Sequence, residues 1–122
     1  MILVDTSVWV DYLRAGEPAL ASLLGDGQVL MHPFVLGELA CGTLRNRQEV
    51  LELLARLPMA PSATDAEALD FIEQRALMGR GIGYIDVHLL AAVCLDGRAR
   101  LWTRDRRLAA AAVDLDVISA GR

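Results

Sequence analysis

Short apolar runs that end on helix-capping residues, each followed by a helical stretch, predict an α/β domain with a mainly parallel central sheet flanked by helices. Met1–Val4 is apolar and ends at Asp5-Thr6-Ser7, three residue types that favour helix starts. Arg100–Thr103 repeats the pattern and runs into Arg104-Asp105. Between them, Tyr84–Leu95 is apolar almost throughout, as expected of a central helix buried on every side. With 122 residues the chain has room for one domain, spanning 1–122, and is long enough to bury a core without disulfides or structural metal.

In order, Met1–Val4 reads as a buried strand and Ser7–Arg14 as a helix with Val8, Trp9 and Tyr12 on one side. After Ala15-Gly16-Glu17-Pro18 a second helix runs to about Leu24 and stops at Gly25-Asp26-Gly27. Gln28–Met31 is a short strand, and Pro33 sits in the first turn of a helix reaching about Leu44. Gln48–Leu57 is helical, with Val50, Leu51, Leu54 and Leu57 at three-four spacing, until Pro58 and Pro61 break it around a short extended piece. Thr64-Asp65-Ala66-Glu67 is a capping-box signature opening a helix to about Met78. Gly79–Gly83 is a flexible loop, Asp105–Val113 a helix, and Leu115–Ile118 a last strand.

The charge balance narrows the chemistry. Sixteen acids stand against twelve basic residues, for a net charge of −4, and every basic residue is arginine. The missing lysine excludes a P-loop, Schiff-base catalysis and receiver-type phosphoacceptor sites. An acidic chain is at first sight a poor ligand for nucleic acid. Cys41 and Cys94, with small or apolar neighbours, are expected to be buried free thiols. Met1–Val4 is too short for a secretory apolar region and Leu89–Leu95 far too short to span a membrane, so a cytoplasmic protein is expected.

Four acids stand out. Ligand sites in parallel sheets lie beyond the carboxyl ends of the strands, where Asp5 and Thr103-Arg104-Asp105 fall. Taken alone, either Asp reads as readily as a helix cap. Asp86 opens the apolar stretch Tyr84–Leu95, where a carboxylate is costly unless hydrogen-bonded or metal-bound, and Glu38 is the one charge in Phe34–Cys41. Set together in apolar surroundings they would repel one another strongly without cations. Oxygen donors without His or Cys suit Mg²⁺, with Mn²⁺ as an alternative, and the matching chemistry is metal-assisted phosphodiester hydrolysis.

Val4-Asp5-Thr6-Ser7-Val8-Trp9, Gly37-Glu38-Leu39-Ala40, Asp86-Val87-His88-Leu89-Leu90-Ala91-Ala92 and Trp102-Thr103-Arg104-Asp105 resemble the acidic motifs of PIN-domain ribonucleases, most closely the VapC-type toxins of bacterial toxin–antitoxin modules. The motifs are individually short and only the ordered set is specific; it covers nearly the whole chain. The resemblance implies a PIN-like α/β/α sandwich and an endoribonuclease held inactive by a cognate VapB-type antitoxin. It further implies a homodimer within a larger toxin–antitoxin complex, with RNA as substrate and no membrane association. Carried over, Asp5, Glu38, Asp86 and Asp105 form the catalytic Mg²⁺ site, and Thr6, Ser7 and Thr103 bond carboxylates or bound water around it.

The remaining candidates have milder readings. His88 lies two residues beyond Asp86, hence on another helix face, and reads as a packed, hydrogen-bonded histidine; His32 reads as a loop residue and Asp11 as a surface charge. Of the arginines around the last acidic motif, Arg104, Arg106 and Arg107 are candidate phosphate contacts. Trp9 and Trp102 read as core or interface aromatics. Two competing classes are a non-catalytic interaction module, whose acids are caps and surface charges, and a receiver- or phosphatase-like phosphotransfer domain. The absent lysine, and the absence of Asp-x-Asp after the first strand, argue against the second.

Overall fold

The middle strand of the sheet is the first one in the chain. In the computed structural model, which describes residues 1–119, β1 (Ile2–Val4) lies between β2 (Val29–Leu30) and β3 (Arg100–Trp102), and both pairings are parallel. Leu3 is aligned with Leu30 on one side and Leu101 on the other, and all three are buried. Parallel neighbours need helical crossovers. These are α1 (Thr6–Ala15) and α2 (Pro18–Gly25) between β1 and β2, then α3 (Pro33–Ala40), α4 (Arg47–Ala55), α5 (Asp65–Arg75) and α6 (Tyr84–Asp96) before β3; α7 (Arg106–Asp114) follows. The α/β sandwich expected from the sequence is therefore the one found.

Helix α6 is its centre. Seven consecutive residues, Val87 to Val93, are buried, which explains why the segment lacks an amphipathic pattern. Trp9 and Trp102 are buried as expected. The start of α5 is the anticipated capping box: Thr64 Oγ1 accepts from the Glu67 amide at 3.1 Å, and Glu67 Oε1 accepts from the Thr64 amide at 2.9 Å.

Several boundaries differ from the expectation, each for a local reason. Leu115–Ile118 is not a strand: Leu115 caps α7 and Asp116 takes a left-handed backbone (φ 58°), so only Ile118 reaches the sheet, as a single bridge to Leu101. The piece between Pro58 and Pro61 does extend the sheet by one bridge, Met59 beside Met31. Helix α3 stops at Ala40, well before Leu44, and Arg47 Nη2 donates to the Ala40 carbonyl at 2.7 Å. Helix α5 stops at Arg75 because Ala76 adopts φ 52°, a left-handed cap more often filled by glycine. Cys41, expected to be buried, is exposed at the end of α3, and Cys94 is half-buried. Small neighbours at a helix end cannot cover a side chain. Among the described residues no helix is long and apolar enough to cross a membrane.

His32, read from sequence as a loop residue, is instead the N-cap of α3 and is 1% exposed, its Nδ1 accepting from the Phe34 amide at 3.0 Å. Burial, reinforced by the neighbouring His88, lowers its pKa to about 4. The unfolded chain binds this proton near the ordinary value of 6.5, so His32 contributes stability above 6.5 that is lost as the pH falls towards about 4. Urea denaturation between those limits should show a falling midpoint in the wild type and a flatter profile in His32→Gln.

Candidate functional site

Parallel pairing of β1 with β3 sets Val4 beside Trp102 and ties the next residue across, the Asp5 amide donating to the Trp102 carbonyl at 2.9 Å. Asp5 and Thr103 thus leave adjacent strands at the same edge. The Asp5 side chain is 7% exposed, and its Oδ2 accepts from Thr103 Oγ1 at 2.7 Å and Ser7 Oγ at 2.8 Å. Although Asp5 occupies the N-cap position of α1, its side chain makes no capping bond, so capping does not account for it. The two hydroxyls are themselves fixed: Ser7 Oγ accepts from the Arg104 amide and Thr103 Oγ1 from the Asp105 amide, both at 3.0 Å.

Three other helices bring the remaining acids. Asp105 caps α7, its Oδ1 accepting from the amides of Arg107 at 2.9 Å and Leu108 at 3.0 Å, so the capping reading holds for this residue. Asp86, in the first turn of α6, accepts from the Gly83 amide through Oδ2 at 3.0 Å. Glu38 projects from α3, and its Oε1 accepts from Thr6 Oγ1 at 2.6 Å. Burial pushes the Asp86 carboxyl above the usual range; the Gly83 amide opposes this, and the charges of Asp5, Asp105 and Glu38 push further in the same direction. Asp86 therefore lies within the field of all three other acids.

The surroundings are less apolar than anticipated. Asp5 is buried and Asp86 half-buried, but Glu38 and Asp105 are exposed, because the edge of the sheet is open there. Among the described residues no three His, Cys, Asp or Glu side chains already stand close enough to ligate one ion. Repulsion among four carboxylates favours that spread arrangement. The donor set nevertheless suits a hard divalent cation: it is all oxygen, and each carboxylate has one oxygen held in hydrogen bonds while the other (Asp5 Oδ1, Glu38 Oε2, Asp86 Oδ1, Asp105 Oδ2) accepts none from the described residues.

The three arginines named from sequence are placed differently. Arg104 turns away from the acids: its Nε lies 2.8 Å from Asp11 Oδ2, its Nη2 bonds Glu17, and its guanidinium lies 5.9 Å from the Trp102 ring centroid. With its charge committed to two carboxylates, it is not a free phosphate contact, and Asp11 is an ion-pair partner rather than a bare surface charge. Arg106 and Arg107 are exposed and enter no ion pair among the described residues; Arg107 lies across Gly81. Sequence reading missed this contact, for which the glycine-rich loop Gly79–Gly83 was the available signal. His88 is buried on another face of α6 as expected, but its Nε2 has no hydrogen-bond partner and stands 3.5 Å from Asp65 Oδ1.

The PIN domain family model matches residues 2–114. Two curated proteins called Ribonuclease VapC32, from Mycobacterium tuberculosis strains CDC 1551 / Oshkosh and ATCC 25618 / H37Rv, are each 50% identical to this chain over 120 residues. The alignment covers 98% of this chain and 97% of each relative.

Two measurements probe the geometry. Thr103→Val removes both the donor to Asp5 and the acceptor for the Asp105 amide, and should cost about 1–3 kcal/mol in urea denaturation. The raised Asp86 pKa means the folded chain holds that proton more tightly than the unfolded one, so ionised Asp86 costs stability at neutral pH and the cost fades on acidification. In EDTA, Asp86→Asn should therefore be more stable than wild type near neutrality. The gap should close as the pH falls to about 4, the ordinary carboxylate value.

Proposed function

The chain belongs to the PIN-domain family, with the VapC-type ribonucleases, and on that premise we propose that it is a divalent-metal-dependent endoribonuclease toxin restrained by a VapB-type antitoxin. What supports the reading is the hydrogen-bonded gathering of acids at the sheet edge: Asp5 and Asp105 are joined through Thr103, Glu38 is held by Thr6 beside Asp5, Asp86 feels the charge of all three, and one oxygen of each carboxylate is left over. A chain without lysine, in which the free arginines flank the acids rather than replace them, fits phosphodiester hydrolysis better than phosphotransfer.

Asp5, Glu38, Asp86 and Asp105 would hold the ion, Mg²⁺ or alternatively Mn²⁺, through their uncommitted oxygens. A divalent ion bound there supplies charge to offset that developing on the phosphate oxygens and lowers the pKa of an attacking water. The protein's own contribution is orientation. Ser7 and Thr103 fix the Asp5 carboxylate, and Thr6 fixes that of Glu38. Arg106 and Arg107, exposed at the start of α7 beside Asp105, would supply the phosphate contacts. In-line attack by water would leave a 5′-phosphate and a 3′-hydroxyl on a single-stranded RNA.

The partners proposed are the antitoxin and a second copy of the chain, in the cytoplasm. Val10, Leu53, Leu69, Met78, Leu95 and Val113 are exposed, a supply of apolar surface that fits burial in a complex.

The test is incubation of antitoxin-free protein with structured RNAs in Mg²⁺ and in EDTA, beside Asp5→Ala and Asp86→Asn. Cleavage should require the ion and fall at least about a hundredfold in either variant. Absence of cleavage under every condition, or equal cleavage by the variants, would overturn the enzymatic reading.

A further inference from the structure

Of the six Phe, Tyr and Trp residues, two are more than a third exposed: Phe34 at 38% and Tyr84 at 42%. They are not scattered. Both rings pack on His88, Phe34 at 4.8 Å between centroids and Tyr84 at 4.6 Å, each edge to face. Phe34 also meets the buried His32 at 5.2 Å. The result is an aromatic row, His32–Phe34–His88–Tyr84, with its two imidazoles inside and its two carbon rings at the surface.

The row is held rigid. His88 is 2% exposed within the buried stretch of α6, and the Tyr84 hydroxyl donates to Asp65 Oδ1 at 2.7 Å, fixing the ring against the start of α5. It also adjoins the acids. Phe34 and Glu38 are four residues apart on α3 and so share a face, with about 5–6 Å between their Cβ atoms. Tyr84 opens α6 on the side of His88, four residues on, and not on that of Asp86, so it is Phe34 that brings the row to the acids.

We propose that Phe34 and Tyr84 form a stacking step that receives a nucleobase next to the scissile phosphate. The proposal rests on the ribonuclease reading above and names a specificity element for it. With Phe34 one helical turn from Glu38 on α3, a base of the nucleotide held there or of its neighbour would meet this ring first, with Tyr84 on the far side of His88. Stacking suits this chain because a net charge of −4 offers little general attraction to a polyanion, whereas a π-face binds any base without charge. Rings already packed on His88 also add little ordering cost on binding.

The experiment uses a 5′-labelled, mixed-sequence single-stranded dodecaribonucleotide and a series in which one residue at a time is abasic. Equilibrium binding is read on the full chain carrying Asp5→Asn, so that no cleavage intervenes, and kcat/KM on the chain with Asp5 intact. One or two adjacent abasic positions should weaken binding about tenfold, the usual effect of losing one stacked base. Phe34→Leu and Tyr84→Leu should weaken binding of the intact oligonucleotide similarly and abolish that positional penalty, while Phe34→Trp and Tyr84→Phe retain it. Thermal melting selects variants that remain folded, and the two conservative changes keep the test open if a leucine variant does not fold.

A penalty unchanged in the leucine variants, or no penalty at any position, overturns the stacking step even if RNA is cut. A positional penalty in binding with no cleavage by the chain retaining Asp5 leaves the step standing and overturns the nuclease reading instead. Leucine variants that change the sedimentation coefficient but not the abasic profile assign the two rings to a contact between copies, and also overturn the proposal.

Discussion

Two hydroxyls on one carboxylate oxygen organise the sheet edge. Thr103 leaves β3, Ser7 lies in the first turn of α1, and both bond Asp5 Oδ2 where β1 ends. The same hydroxyls accept the amides that begin the approach to α7. One buried charge thereby ties together two strands and two helix starts, and its position determines where Asp105 can stand. A buried carboxylate is tolerable only with such partners. Here they are neutral, which leaves the charge itself available to a cation.

That choice of neutral partners runs through the whole cluster. Hydroxyls and backbone amides hold all four acids, while Arg104, which precedes Asp105 on the chain, is drawn off by Asp11 and Glu17. Outside the cluster the chain carries as many acids as arginines, so its net −4 equals the charge of the four clustered carboxylates. The acidic composition, which at first argued against a nucleic-acid substrate, is a local property of one edge.

Much of this architecture was legible because periodicity and capping chemistry are local. The strand Met1–Val4, the buried α6 and the Thr64–Glu67 capping box need only neighbouring residues to specify them. What was misjudged depends on contacts distant in sequence or on backbone exceptions. Leu115–Ile118 has strand composition, but Asp116 turns left-handed, and no pattern announces that in an Asp. Cys41 has the neighbours of a buried thiol and lies where α3 runs out. Arg104 sits beside the candidate site in sequence, yet its partners Asp11 and Glu17 are about ninety residues away, and only the fold brings them within reach. The acids themselves were found as an ordered set, but not the split of their exposure, since burial at a sheet edge depends on what covers it.

The division within each carboxylate, one oxygen bound into the fold and one not, has an evolutionary consequence. Replacing an acid by its amide exchanges only one atom, and the remaining oxygen can keep its hydrogen bonds to hydroxyl or amide. On the ribonuclease reading proposed above, a lineage would therefore lose the chemistry in a single step and retain the shape of this edge, leaving the scaffold intact to acquire another use.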